Sequence, residues 1–250
     1  MKTPGIIWAA LLCTLALSQP AFSQSAAPDA DLATSVAAAQ QLYAASFPAH
    51  SQLYSGPEYV DYAKRYRTST GHQFFALPTR QPGSVYYNDH YFSNLQLAYD
   101  EVLEQVVLGL PNSPLTLRLI NENVRYFTIN GHRFARVVAD SATARTIRTG
   151  YYEVLVDSTV QVLAKRMKRM QEHIEQHDTN VQFTDVDKFF IKKDGRYYPV
   201  SSKSAVMRVF ADHSQEVQKY VREHKLKFGK KERVAAVVEL ATYYSGLPAH

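Results

Sequence analysis

The chain has 250 residues, 46% of them hydrophobic, and a formal net charge of +5. That length is enough to bury a sizeable core. Its one cysteine, Cys13, excludes a disulfide framework, so burial has to hold the fold together.

Lys2, the uncharged apolar run 6–17 and the small residues Ala21 and Ser23 have the layout of a secretory signal peptide, with cleavage expected after Ser23. The run falls short of the roughly 20 residues a spanning helix needs. No later segment is apolar enough to cross a bilayer, so the remainder, residues 24–250, is expected to be a soluble protein of the periplasm or the extracellular space. Cleavage removes Lys2 and leaves a charge of +4, unevenly spread. Residues 24–160 hold 10 basic and 12 acidic side chains, whereas 161–233 hold 17 and 10. The plain reading is a solvated basic face that aids solubility, and the alternative is a contact with an anionic envelope component.

Residues 24–50 read as a polar leader and a short amphipathic helix with Leu32, Val36, Ala39 and Tyr43 at helical spacing. The tyrosine-rich stretch 51–67 reads as a strand or irregular lead-in. From Gly83 to Val200 apolar and polar residues alternate, and two-residue turn pairs separate aromatic and β-branched runs. Asn88-Asp89, Asn130-Gly131, Asp157-Ser158 and Asp194-Gly195 are those pairs, and each predicts a β-hairpin. Strands are expected over 85–87, 91–92, 95–99, 101–110, 115–120, 124–129, 133–138, 150–156, 159–164, 181–183, 189–192 and 196–200, with a polar loop over 140–149. After Pro199 the period becomes helical. Ser202 can cap a first helix, Asp212 with Gln215 resembles a capping box for a second, and a third is expected over 231–244. The expected fold is therefore α+β and mainly β: an antiparallel meander over 51–200, curved or barrel-like, with a three-helix segment over 201–246 packed on it.

Gly71-His72-x-Phe74-Phe75, Leu97-x-Tyr99-Asp100, Gly150-Tyr151-Tyr152-Glu153-x-Leu155, Lys165-Arg166-x-Lys168, Lys188-Phe189-Phe190-Ile191 and Gly195-x-Tyr197-Tyr198-x-Val200 occur together, and Leu226-Lys227-Phe228 follows them. As a set they resemble a family of uncharacterised exported proteins of Bacteroidota-type bacteria, over about residues 54–244. The resemblance implies export and carries no activity and no functional residue.

The densest basic cluster is Lys165, Arg166, Lys168 and Arg169, a candidate contact for an anionic surface or glycan. In a strand, Arg166 and Lys168 would face away from Lys165 and Arg169, which splits the cluster. His173 and His177 could share a metal on a helix, an option kept open by the stripe Leu163, Met167, Met170 and Ile174. On a strand they would stand about 13 Å apart and could not. Gly71-His72 and Gly131-His132 each place a histidine at a strand start, where the bland reading is a turn glycine beside an exposed imidazole. Asp100, Glu101, Glu104 and Glu122 could supply the paired carboxylates of a glycosidase. Asp185-x-Asp187 and Asp194-Gly195 lack the other ligands of a calcium loop. With no phosphate-cradling loop and no dinucleotide fingerprint, no cofactor is expected. Export argues against nucleic acid as a partner.

Because no catalytic set assembles, the leading expectation is a non-catalytic envelope protein that binds an anionic component or another envelope protein. A glycan or peptide hydrolase, and a lipid or lipoprotein carrier with a curved sheet, are the alternatives.

Overall fold

The computed structural model describes residues 34–36, 52–111, 113–174 and 179–248. The chain divides into two compact units, Met1–Ser46 and Phe47–His250. In the first, residues 34–36 are helical. The expected signal peptide, the leader and most of the amphipathic helix lie outside the described residues.

The second unit holds thirteen strands among the described residues: β1 (Thr68–Thr70), β2 (Gln81–Tyr87), β3 (His90–Asp100), β4 (Gln105–Gly109), β5 (Thr116–Arg118), β6 (Val124–Ile129), β7 (His132–Val137), β8 (Gly150–Asp157), β9 (Gln161–Lys165), β10 (Lys168–Ile174), β11 (Thr179–Asp185), β12 (Lys188–Lys193) and β13 (Arg196–Pro199). Three helices follow: α1 (Lys203–Val209), α2 (Ser214–Glu223) and α3 (Arg233–Ser245). The lead-in carries a short 3-10 helix, Tyr62–Arg65.

Ten strands form one antiparallel sheet in the order β13-β12-β9-β8-β7-β6-β2-β3-β4-β5. It is not closed into a barrel; β13 and β5 end the strand order, and the lead-in at Glu58 bridges Leu117 on the outer side of β5. The order departs from a simple meander twice: β6 returns to pair with β2 rather than with β5, and β9 pairs with β12 because β10 and β11 leave the sheet. Three of the four turn pairs have positive φ at both central residues: Asn88 and Asp89, Asn130 and Gly131, Asp194 and Gly195. That is the type I′ geometry whose twist matches the flanking strands. The fourth differs: β8 and β9 close at Asp157 and Gln161, beside a register shift between Val154 and Val156. At Gly83 the register of β2 against β3 also shifts, and a Cβ there would overlap the Thr128 carbonyl of β6.

The sheet is rolled. Tyr99 on β3 and Tyr151 on β8 are four strand intervals apart, about 19 Å across a flat sheet. Their ring centroids are 5.9 Å apart, edge to face. Tyr99 also lies 5.2 Å from Phe134, which stacks at 4.8 Å on its register partner Phe127. Val85, Leu97, Val106, Leu108 and Ile129 complete this buried cluster, with Phe75 packed edge-on against Phe134. Large aromatic side chains therefore fill the concave side, each burying roughly 150–250 Å².

At the other end, Val162 and Ile191 of the sheet and Val160 of the β8–β9 loop share a core with Val206, Val217, Val221, Val237, Leu240 and Tyr244 of the helices and with Phe210 just past α1. Ser202 caps α1 as expected, its Oγ accepting from the Ala205 N–H at 3.2 Å. Asp212 is no capping box: α2 has no side-chain cap. Its carboxylate instead accepts from Lys193 Nζ at 2.7 Å and from the Tyr244 hydroxyl at 2.5 Å, tying the helices to β12. Burial raises the pKa of Asp212, but these two donors outweigh it and bring it down to about 2.

Candidate functional site: a charged bend in a long hairpin

β9 runs into β10 after a break at residues 166–167, and β11 runs into β12 after a break at 186–187. β9 pairs with β12 and β10 with β11, so the four make one long hairpin that bends out of the large sheet. Its outer half, β10 and β11, joins β1 in a separate three-stranded sheet in which β1 runs parallel to β11. The segment with the methionine stripe is thus a strand, not a helix. His173 lies on β10; His177 is outside the described residues.

The bend is held by charge. Asp187 accepts from the Met167 N–H at 3.0 Å and from Arg166 at 2.6 Å, while the Val186 N–H donates to the Met167 carbonyl at 2.9 Å. Arg166 Nε also reaches Glu153 on β8 at 2.6 Å, and the other oxygen of Glu153 lies 2.6 Å from His132 Nδ1 on β7. The Lys168 ammonium sits 3.1 Å from the Glu101 carboxylate in the β3–β4 turn and donates to the Phe74 carbonyl at 2.5 Å. Lys165, almost fully buried, pairs with Glu104 of the same turn. The rolling of the sheet brings that turn, five strand intervals away in the sheet order, against the end of β9.

These residues border a cleft of about 350 Å³, lined by His72, Glu101, Arg166, Lys168, Asp185 and Asp187, with Phe75 and Phe183. Burial pushes the Glu101 carboxyl up to about 7, against the pull of Lys168. Burial first, then the Lys168 charge, lowers the pKa of His72, whose Nδ1 is buried with no hydrogen-bond partner among the described residues. Asp185 and Asp187 also line a second, mainly apolar groove of about 600 Å³ beside the first turn of α3.

Of the four clustered cations, three are turned on internal carboxylates. Arg169 is exposed on β10, so the four do not form one outward patch. His132 is, as expected, an exposed ring beside a turn glycine, though it also meets a carboxylate; His72 departs from that reading, being half-buried. His132 opens β7 and is engaged by Glu153, whereas His72 lies in irregular chain with Gly71 at φ +80°. The candidate carboxylates also part company. Asp100 is fully buried and accepts from the hydroxyls of Tyr59 (2.8 Å) and Tyr62 (3.2 Å) and from two backbone N–H groups. Glu101 goes to Lys168 and Glu104 to Lys165, while Glu122 makes no ion pair among the described residues.

A His–Glu couple such as His132–Glu153 can serve a general base. Among the described residues, however, no hydroxyl or thiol is hydrogen-bonded to His132, so no activated nucleophile accompanies it. No group of three or more metal-capable side chains assembles among the described residues. Sequence reading passed over Glu153 and Asp187 as network members. The available signal was a lone carboxylate in an otherwise apolar stretch, Tyr151-Tyr152-Glu153-Val154, since buried charge requires a partner. Among the described residues no helix is long and apolar enough to cross a membrane. No protein-family model, curated protein or solved structure matches this chain.

Proposed function

We propose that this is an exported, non-catalytic envelope protein that binds a partner or ligand at the bend of its long hairpin. One observation carries the reading: Glu101, Glu153, Arg166, Lys168 and Asp187 are paired with one another in holding the bend, while the surface beside them stays open as a cleft and a groove. The packed aromatic interior supports a binding surface over a carrier that encloses its cargo. The signal-peptide pattern and the resemblance to exported proteins support the location.

The test has two arms. Chromogenic glycan and peptide substrates are expected to release no product, and the immobilised chain is expected to retain an envelope component. Retention should weaken as salt rises, because the partner is read by charge as well as shape. Turnover abolished by Glu153→Gln would replace this reading with that of a hydrolase.

A further inference from the structure

The groove beside α3 sets apolar side chains beside charged ones; the apolar ones are Val186, Phe189 and Phe190 of the hairpin, Pro199 and Val200 at the end of β13, and Val234 of α3. Phe189, Val186 and Val234 are only half-buried, so apolar surface stands open to water. Three cations, Lys188, Lys230 and Arg233, line the same groove. Lys188 is the register partner of Lys165, which Glu104 already neutralises. Neither Lys188 nor Lys230 has an ion pair among the described residues, and both are exposed. Arg233 gives its Nε to the Phe228 carbonyl at 3.3 Å. Of the two carboxylates present, Asp187 is bound by Arg166; Asp185 alone opposes the cations.

Resting on the binding reading above, we propose that this groove takes an anionic amphiphile: a single acyl chain over Phe189, Val200 and Val234, with its acidic head on Lys188, Lys230 and Arg233. The volume lies inside the range of about 300–1,000 Å³ in which small molecules bind. A small anion would leave the apolar floor wet, and a neutral hydrocarbon would leave the cations unused. An acidic head joined to a chain satisfies both, and the pairing of apolar lining with unpaired cations on one groove selects it.

The full chain is titrated calorimetrically with sodium laurate below its micelle concentration. Dodecanol, dodecyltrimethylammonium and acetate serve as controls. Laurate is expected to bind, dodecanol and acetate each about tenfold or more weakly, and the cationic amphiphile not at all. Lys188→Glu combined with Lys230→Glu should weaken laurate by about tenfold and spare dodecanol; Val234→Glu should weaken both. Circular dichroism and the melting temperature confirm that the variants fold. Equal binding of the cationic amphiphile, laurate binding that ignores these substitutions, or no laurate binding would overturn the proposal. So would a dimer in sedimentation that Val234→Glu dissociates, since a second copy would then occupy the groove. If laurate fails while an envelope component is still retained, the groove assignment falls and the binding reading stands.

Discussion

Glu101 shows how one side chain couples burial to pH at the bend. It is 5% exposed, faces the Lys168 ammonium, and also feels the charges of Asp187 and Asp185 from the opposite strand. Burial raises its pKa from the usual carboxylate value to about 7. A group whose folded pKa lies above its unfolded one contributes stability below the unfolded value, and that contribution is lost as pH rises through the folded value. The window therefore runs from about 4.5 to about 7. Glu101→Gln removes the titration, so urea unfolding at pH 5 and pH 8 should show the variant gaining on the parent as pH rises. A difference between the two proteins that stays constant across that range would contradict the assignment. Tyr99 offers a second test. Its hydroxyl is buried without a hydrogen-bond partner among the described residues, and an unpaired polar group costs free energy that its removal recovers. Tyr99→Phe should therefore melt no lower than the parent.

Among the elements, the hairpins were legible because their turns are chemically specific. Asn-Asp, Asn-Gly and Asp-Gly pairs tolerate positive φ at both positions, and all three were found where the sequence put them. Asp157-Ser158 carries no such tolerance and closes as a wider loop. β10 was ambiguous because Leu163, Met167, Met170 and Ile174 fit a helical stripe, while pairing with β11 across seven residues decides for strand. The capping box at Asp212 failed because Lys193 and Tyr244, distant in sequence, compete for the same carboxylate. The outer half of the long hairpin has little to protect it. Most of β10 is exposed, and β1 supplies only three residues of pairing to β11. Hydrogen exchange should therefore be faster at the amides of β10 than at those of β9, which lies between β8 and β12. Equal protection along the whole hairpin would mean that the bend does not separate two units of stability.

At the scale of the molecule, the alternation of apolar residues announced a large antiparallel sheet, and the change of period announced the terminal helices. The pattern left two things open: the direction of rolling and the identity of the residues that rolling would bring together. Glu104 and Lys165 are 61 positions apart, and no local spacing links them. They meet because strands β3 to β8 wrap around Tyr99, Phe127, Phe134 and Tyr151. Gly150 makes room for the pair: a Cβ at this position, with φ at +149°, would overlap both the Lys165 ammonium and the Glu104 carboxylate. The charged bend depends on the same rolling, because Glu101, in the same turn, holds Lys168. A double-mutant cycle over Glu104→Gln and Lys165→Met, read by urea unfolding, tests this most directly. A rolled sheet predicts that Glu104→Gln strands a buried ammonium, and that the double variant is more stable than the sum of the single losses by about 2 kcal/mol. Losses that add to within about 0.5 kcal/mol would mean that the β3–β4 turn and β9 never meet.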